Sequence, residues 1–321
     1  MRFWNTLTMA AAGALFLTAP QAQAAYPEKP ITLIVAFGAG GGTDLLVRAL
    51  APFLEKELGE GARVEVVNKP GAGGEIGFAA IADAAPDGYT LGSINSPNVT
   101  AIPIERQARY SLDRLDPLYN LVDDPGAFAA NTEGQFKTLA DVVTFAKANP
   151  NTVTVGTTGI GSDDHLAMLV FQRQAGVTFT HVPFQGSSAN EAALAGKKIM
   201  LSSVNIGEAL QYKQKDPITV LGVMAEKRAE NAPDAATFKE QGFAAQMSSL
   251  RGIAAPKGLP PEVRAKLVEA LGKAANAPGF QAKAKELFQP LRLLPPEQYT
   301  AELTAATAAL RELWASNPWL K

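Results

Sequence analysis

A two-domain α/β fold with a central cleft is the class this sequence predicts, and three observations carry it. Strand-like apolar runs alternate with helix-like segments from Ile31 onward, as expected for a parallel, doubly wound sheet with crossover helices. The chain has 321 residues, beyond the length at which a single hydrophobic core stops growing, so two domains with a cleft between them follow. Four glycine-rich loops also recur in the same setting, each between a strand-like run and a helix-like one.

The first 24 residues read as a signal peptide and are set aside from the fold. Arg2 begins a short n-region, Leu7 to Leu17 is apolar, and Ala22-Gln23-Ala24 supplies small residues for cleavage. The apolar run is shorter than the ~20 residues a membrane span needs. Export is therefore expected, in a bacterium to the periplasm. The mature segment opens with strand Ile31–Phe37, a helix from about Thr43, strand Arg63–Asn68, a helix from about Gly74 and strand Tyr89–Asn95. A less regular stretch containing "LVDDPGAFAAN" follows. The rhythm then resumes: Thr152–Thr158 leads into helix Ser162–Gln174, Phe179–Phe184 into a helix from Ser187, and Ile199–Asn205 into another.

A last strand, Arg251–Ala255, precedes two or three Ala/Leu/Lys-rich helices, with Pro260 and Pro261 opening one and Pro295 and Pro296 preceding another. These helices are expected to pack back on the first domain. Chain crossings near Asp123–Ala130 and Ser248–Ile253 would then form a two-strand hinge, giving one domain of residues 25–124 plus 250–321 and another of 125–249.

Composition narrows the function classes. The chain has no cysteine, so thiolate metal sites and thiol chemistry are excluded. Lys and Arg total 29 against 31 Asp and Glu, and loss of Arg2 with the leader takes the formal net charge from -2 to -3. Without a long basic tract, nucleic acid and acidic membrane surfaces are not expected partners.

The opening loop in "ITLIVAFGAGGGTDLLVRAL" sits where a phosphate loop would. A P-loop ends in Gly-Lys-Ser/Thr, but Gly42 is followed by Thr43 and Asp44. The dinucleotide fingerprint fails too, because Thr43 stands where its third glycine belongs, and Asp44 would repel a pyrophosphate. The other three loops are "NKPGAGGEIG", "GTTGIGSDDHL" and "PFQGSSANEA". Glycines after strands often serve only tight turns and close packing. Four such loops with hydroxyls at Thr43, Thr157, Thr158, Ser162, Ser187 and Ser188 instead place backbone N–H groups at helix starts around a cleft, a setting for small anions.

The segments "YPEKPITLIVAFGAGGGTD", "VVNKPGAGGEIG", "APDGYTL", "GSDDHLA", "THVPFQGSSA" and "GIAAPKGLP" resemble, in order and spacing, the solute-binding receptors of tripartite tricarboxylate transporters, the Bug family. The resemblance covers nearly the whole mature chain. It implies a periplasmic-binding-protein (venus-flytrap) architecture that closes on a small carboxylate, di- or aromatic, and hands it to inner-membrane permease subunits. In the family, main-chain amides, hydroxyls and waters hold the carboxylates. The expected ligand-binding residues are Phe37 as a wall; Gly38, Ala39, Gly40, Gly41, Thr43, Ala72 and Gly73 from the first domain; Thr158, Ser162 and Asp163; Gln185, Gly186, Ser187 and Ser188 on the opposing lip; and Asn95, Ser96 and Asn205 at strand ends. A monomer without metal or cofactor is expected.

Three departures from the family pattern matter. Gly38 and Ala39 stand where prolines are usual, Ser202 and Ser203 where an aspartate is common, and Asp163 and Asp164 where many relatives have serines. The two aspartates suit an ordinary helix start, with Ser162 as cap. The alternative is an amino-acid receptor in which one of them accepts an ammonium group. An exported hydrolase or lyase is the alternative of another class. Its support is thin: no G-x-S-x-G or H-E-x-x-H motif occurs, and His165 and His181 are the only histidines.

Overall fold

The computed structural model describes residues 26–316 and Pro318; the signal-peptide reading of residues 1–24 lies outside them. The first half builds β1 (Ile31–Val35), α1 (Gly42–Leu58), β2 (Val64–Asn68), α2 (Glu75–Ala82), β3 (Thr90–Ser96) and α3 (Asn98–Glu105). β1 lies between β2 and β3, parallel to both. The glycine loops thus fall at the carboxyl ends of neighbouring strands, as parallel topology requires.

A 17-residue strand, β4 (Leu115–Asn131), comes next. It takes in the whole of "LVDDPGAFAAN", expected to be irregular, as strand. Pro117 sits in the strand without breaking it because the register against β9 shifts between Pro117 and Tyr119, and Pro125 stands where pairing with β9 ends and pairing with β7 begins at Gly126. Such irregularities release a proline from donating to the ladder.

The second half contains α4 (Leu139–Ala148), β5 (Thr154–Thr157), α5 (Asp163–Ala175), β6 (Thr180–Pro183), α6 (Ser187–Ala195), β7 (Leu201–Asn205), α7 (Ile206–Lys213) and β8 (Ile218–Val223). β5 pairs in parallel with β6 and β7. β9 (Ser248–Pro256) then returns between β3 and β4, antiparallel to both. The continuous order is β2-β1-β3-β9-β4-β7-β5-β6. The sheet is therefore mixed where an all-parallel one was expected, because β9 enters from the far half and must run against β3. α8 (Pro261–Asn276), α9 (Pro278–Glu286), β10 (Leu291–Leu294) and α10 (Pro296–Ser316) close the chain.

Two main cores result. One draws on residues 31–122 and 250–303, including Leu33, Leu50, Phe78, Leu271 and Phe280. The other lies within residues 128–245 and centres on Phe128, Phe171 and Phe238, whose rings meet edge to face at 5.2–5.3 Å. The cores define a first and a second lobe, and β4 runs through both: Leu115–Pro125 pair with β9, Gly126–Ala130 with β7.

Candidate functional site

Where the lobes meet, loops from both enclose a pocket. Of the residues expected there, it is lined by Phe37, Gly41, Thr43, Asn95, Thr158, Asp163, Ser187 and Asn205. Gly42, Glu208 and Arg251 complete the lining. Gly38, Ala39, Gly40, Ala72, Gly73, Ser96, Ser162, Gln185, Gly186 and Ser188 do not line it. As the side chains stand, the free space is about 20 Å³, close to the room of one water molecule.

Most of the expected donors are spent within the protein. The Gly38 N–H donates to the Gln185 carbonyl at 3.0 Å, and the Ser188 hydroxyl to the Ala39 carbonyl at 3.1 Å, so these lips join directly across the cleft. The Gly40 N–H donates to Asp44 Oδ2 at 2.9 Å. Burial opposes ionisation of Asp44, but Arg48, this amide and Asn68 outweigh it and hold the carboxyl below its usual range. Asp44 is thus a brace for the loop. Gly73 packs against Ile160, and its carbonyl accepts from Asn98 Nδ2 at 3.1 Å.

The start of α5 follows its sequence closely. Ser162 Oγ accepts the His165 N–H at 3.2 Å, so this hydroxyl is a helix cap behind the pocket. Thr158 donates its hydroxyl to Asp164 Oδ2 at 2.6 Å and its N–H to the same atom at 3.2 Å, which removes both from the role of ligand donor. Asp163 does face the pocket, and its Oδ2 accepts from Asn205 Nδ2 at 2.9 Å.

Glu208 and Arg251 are the residues that sequence reasoning missed. Glu208, in the first turn of α7, places Oε1 3.2 Å from the Gly42 N–H and 2.9 Å from Ser187 Oγ. Its other oxygen accepts the Asn205 N–H at 3.3 Å. Arg251, in β9, donates to Asn205 Oδ1 at 2.7 Å and to Gln289 Oε1 at 3.1 Å, and its guanidinium lies 3.3 Å from Asp124 and 3.4 Å from Glu208. The signal available in sequence was a lone arginine directly before the apolar run Gly252–Ala255 of a strand, a position that requires a buried acid as partner.

The electrostatics are acidic. Asp124, Asp163, Asp164 and Glu208 surround Arg251 in the protein interior. Burial works against the guanidinium charge, yet these carboxylates hold its pKa above the ordinary value. Burial pushes Asp124 up to about 7 although Arg251 opposes it. It raises Asp163, and it raises Asp164 far more, with the neighbouring Asp163 charge adding to the effect. Burying so many ionisable groups is costly to folding.

The histidines stack at 4.2 Å. Burial, then the neighbouring His181, lower His165 to about 3, so its ring is neutral and accepts the Gly161 N–H through Nδ1.

Residues 46–306 match the family described as tripartite tricarboxylate transporter family receptor. The UPF0065 protein in the gbd 5′ region of Cupriavidus necator is 33% identical over 302 residues, covering 93% of this chain and 91% of that protein. Protein BugT of Bordetella pertussis is 30% identical, covering 77% and 76%. Among solved structures, the periplasmic binding protein BugD superposes with a TM-score of 0.84 at 29% identity, covering 91% of this chain and 98% of that one. MatC of Rhodopseudomonas palustris with bound malate gives 0.82 at 25% identity, covering 90% and 99%. The chain belongs to the tripartite tricarboxylate transporter receptor family, with its two-domain periplasmic-binding-protein fold.

Proposed function

We propose that this member of the receptor family is an exported, monomeric receptor that captures a small organic carboxylate between its lobes and delivers it to the permease subunits of its transporter. The observation that carries the reading is the seat at the start of α1. There a carboxylate, that of Glu208, is held by the Gly42 N–H and the Ser187 hydroxyl, at the end of a helix where dipole and free amides favour an anion. The malate in MatC supports a carboxylate as ligand. Residues 25–124 plus 250–321 and residues 125–249 form the moving domains in this reading, with β4 and β9 as the hinge. The cores on either side of Asp124 and Leu250 support that division. Closure follows from ligand contacts made only when the lobes are together.

Reversible binding fits the cleft better than catalysis. The Ser187 proton is committed to Glu208, and the nearest partners of the histidine rings are Gly161 and Thr157. Among the described residues no helix is long and apolar enough to cross a membrane, which agrees with a receptor that meets its permease at the membrane surface. The test is a thermal-shift screen of the purified mature protein against mono-, di- and tricarboxylates, aromatic acids and amino acids. A ligand at a hundred times its Kd should stabilise the fold by about 2.7 kcal/mol and be recovered unchanged. Silence across the panel, or turnover of the ligand, overturns the reading.

A further inference from the structure

Between the residues that line the pocket, the contacts joining its two walls run one way. The first-lobe wall supplies the Gly42 N–H and the Arg251 guanidinium, and the second-lobe wall supplies the Glu208 carboxylate and Asn205 Oδ1 that receive them. Asp163 lies on the second wall as well. Two side-chain atoms of the lining residues have no partner: Oδ1 of Asn95, an acceptor, and Nε of Arg251, a donor. Their residues are 4% and 2% exposed. Leaving both unpaired at such depth is costly unless something else meets them.

With so little free space, a ligand enters only when the walls part, and it must then satisfy each in turn. To the first wall it must offer what Glu208 offers now, a carboxylate. To the second it must offer what Gly42 and Arg251 offer now, donors of which the guanidinium carries the charge.

We infer that the ligand is a zwitterion, a small carboxylate that also carries an ammonium group, and that Glu208 is the residue that selects it. This rests on the carboxylate-receptor reading and narrows it. The ligand carboxylate takes the α1 seat beside Gly42, Thr43 and Arg251; the ammonium group sits against Glu208 and Asp163, within reach of Asn95 Oδ1. A dicarboxylate would place its second charge against Glu208 and Asp163, and Arg251 already faces Asp124. Like charges in a desolvated pocket reject a ligand more effectively than missing contacts do.

Isothermal titration of the purified mature protein with aspartate against succinate, alanine against propionate, and β-alanine against malonate tests this directly. At least one amino member should bind roughly tenfold or more tightly than its partner. Glu208→Gln should erase most of that preference while the carboxylate-only ligands bind as well or better. If Glu208→Gln does not fold, Asp163→Asn on the same wall should narrow the preference too. Carboxylate-only members binding more tightly in the wild type overturn the inference and leave the receptor reading intact. A preference unchanged in both variants overturns the selecting role of Glu208; absence of binding by every pair overturns the zwitterion inference, and the receptor reading then stands or falls on the wider thermal-shift screen.

Discussion

Neighbouring carboxylates meet different fates at the start of α5: Asp163 turns into the pocket, and Asp164 turns back to hold Thr158. Both choices offered by the sequence, helix-start acid and cleft-facing acid, are therefore realised one residue apart. A helix step of about 100° separates adjacent side chains, and periodicity alone does not say which of them faces the partner lobe. His165, close by, yields a pH prediction. Its unfolded pKa is near 6.5 and its folded value about 3, so its contribution to stability is present above 6.5 and lost as pH falls toward 3. At pH 5 the loss amounts to about 2 kcal/mol. His165→Asn should flatten that part of the acid slope in urea titrations, and the wild-type ring proton should show no titration by NMR between pH 8 and 5. Asp124, raised to about 7 by burial, works with the opposite sign. Its contribution is full below its ordinary range near 3.8 and lost as pH rises through 7.

Helix starts were the most legible elements. Ser162 and Pro261 stand where the rules for caps and first turns place them, and strands β1, β2, β3, β5 and β7 appear within a few residues of their expected spans. β4 was not legible as a strand, because prolines and paired aspartates read as loop until a partner strand tolerates them. β8 and β10 were not anticipated; both are short strands that pair with β4, and such runs lack a period of their own. Within α2, Gly77 lets the helix lie directly on β1: a Cβ there would fall 2.5 Å from the Ala36 Cα and 2.6 Å from its Cβ. Backbone cannot yield cheaply, so Gly77→Ala should destabilise the protein by roughly 1–3 kcal/mol, read as a lower urea midpoint.

At the scale of the molecule, Arg251 is where the halves meet. It rises from β9 in the first lobe and bonds to Asn205 and Glu208 of the second and to Asp124 of the shared strand. Replacing it with methionine keeps much of the volume but leaves buried carboxylates unpaired, at an expected cost of about 3–5 kcal/mol, measurable by denaturant unfolding without ligand. A shift below 1 kcal/mol would mean that the acids are already neutral in the folded protein. The sequence by itself determined the α/β class, the family resemblance, the glycine loops at helix starts and most of the pocket lining near them, because turn chemistry, helix capping and hydrophobic period are local. Only the tertiary structure decided which amides are spent within the protein, which aspartate faces the cleft, and that Glu208 and Arg251 meet there. Those outcomes depend on pairing residues 43 positions apart along the chain and bringing both to a loop at Gly42, and no local pattern encodes which buried charge finds which partner.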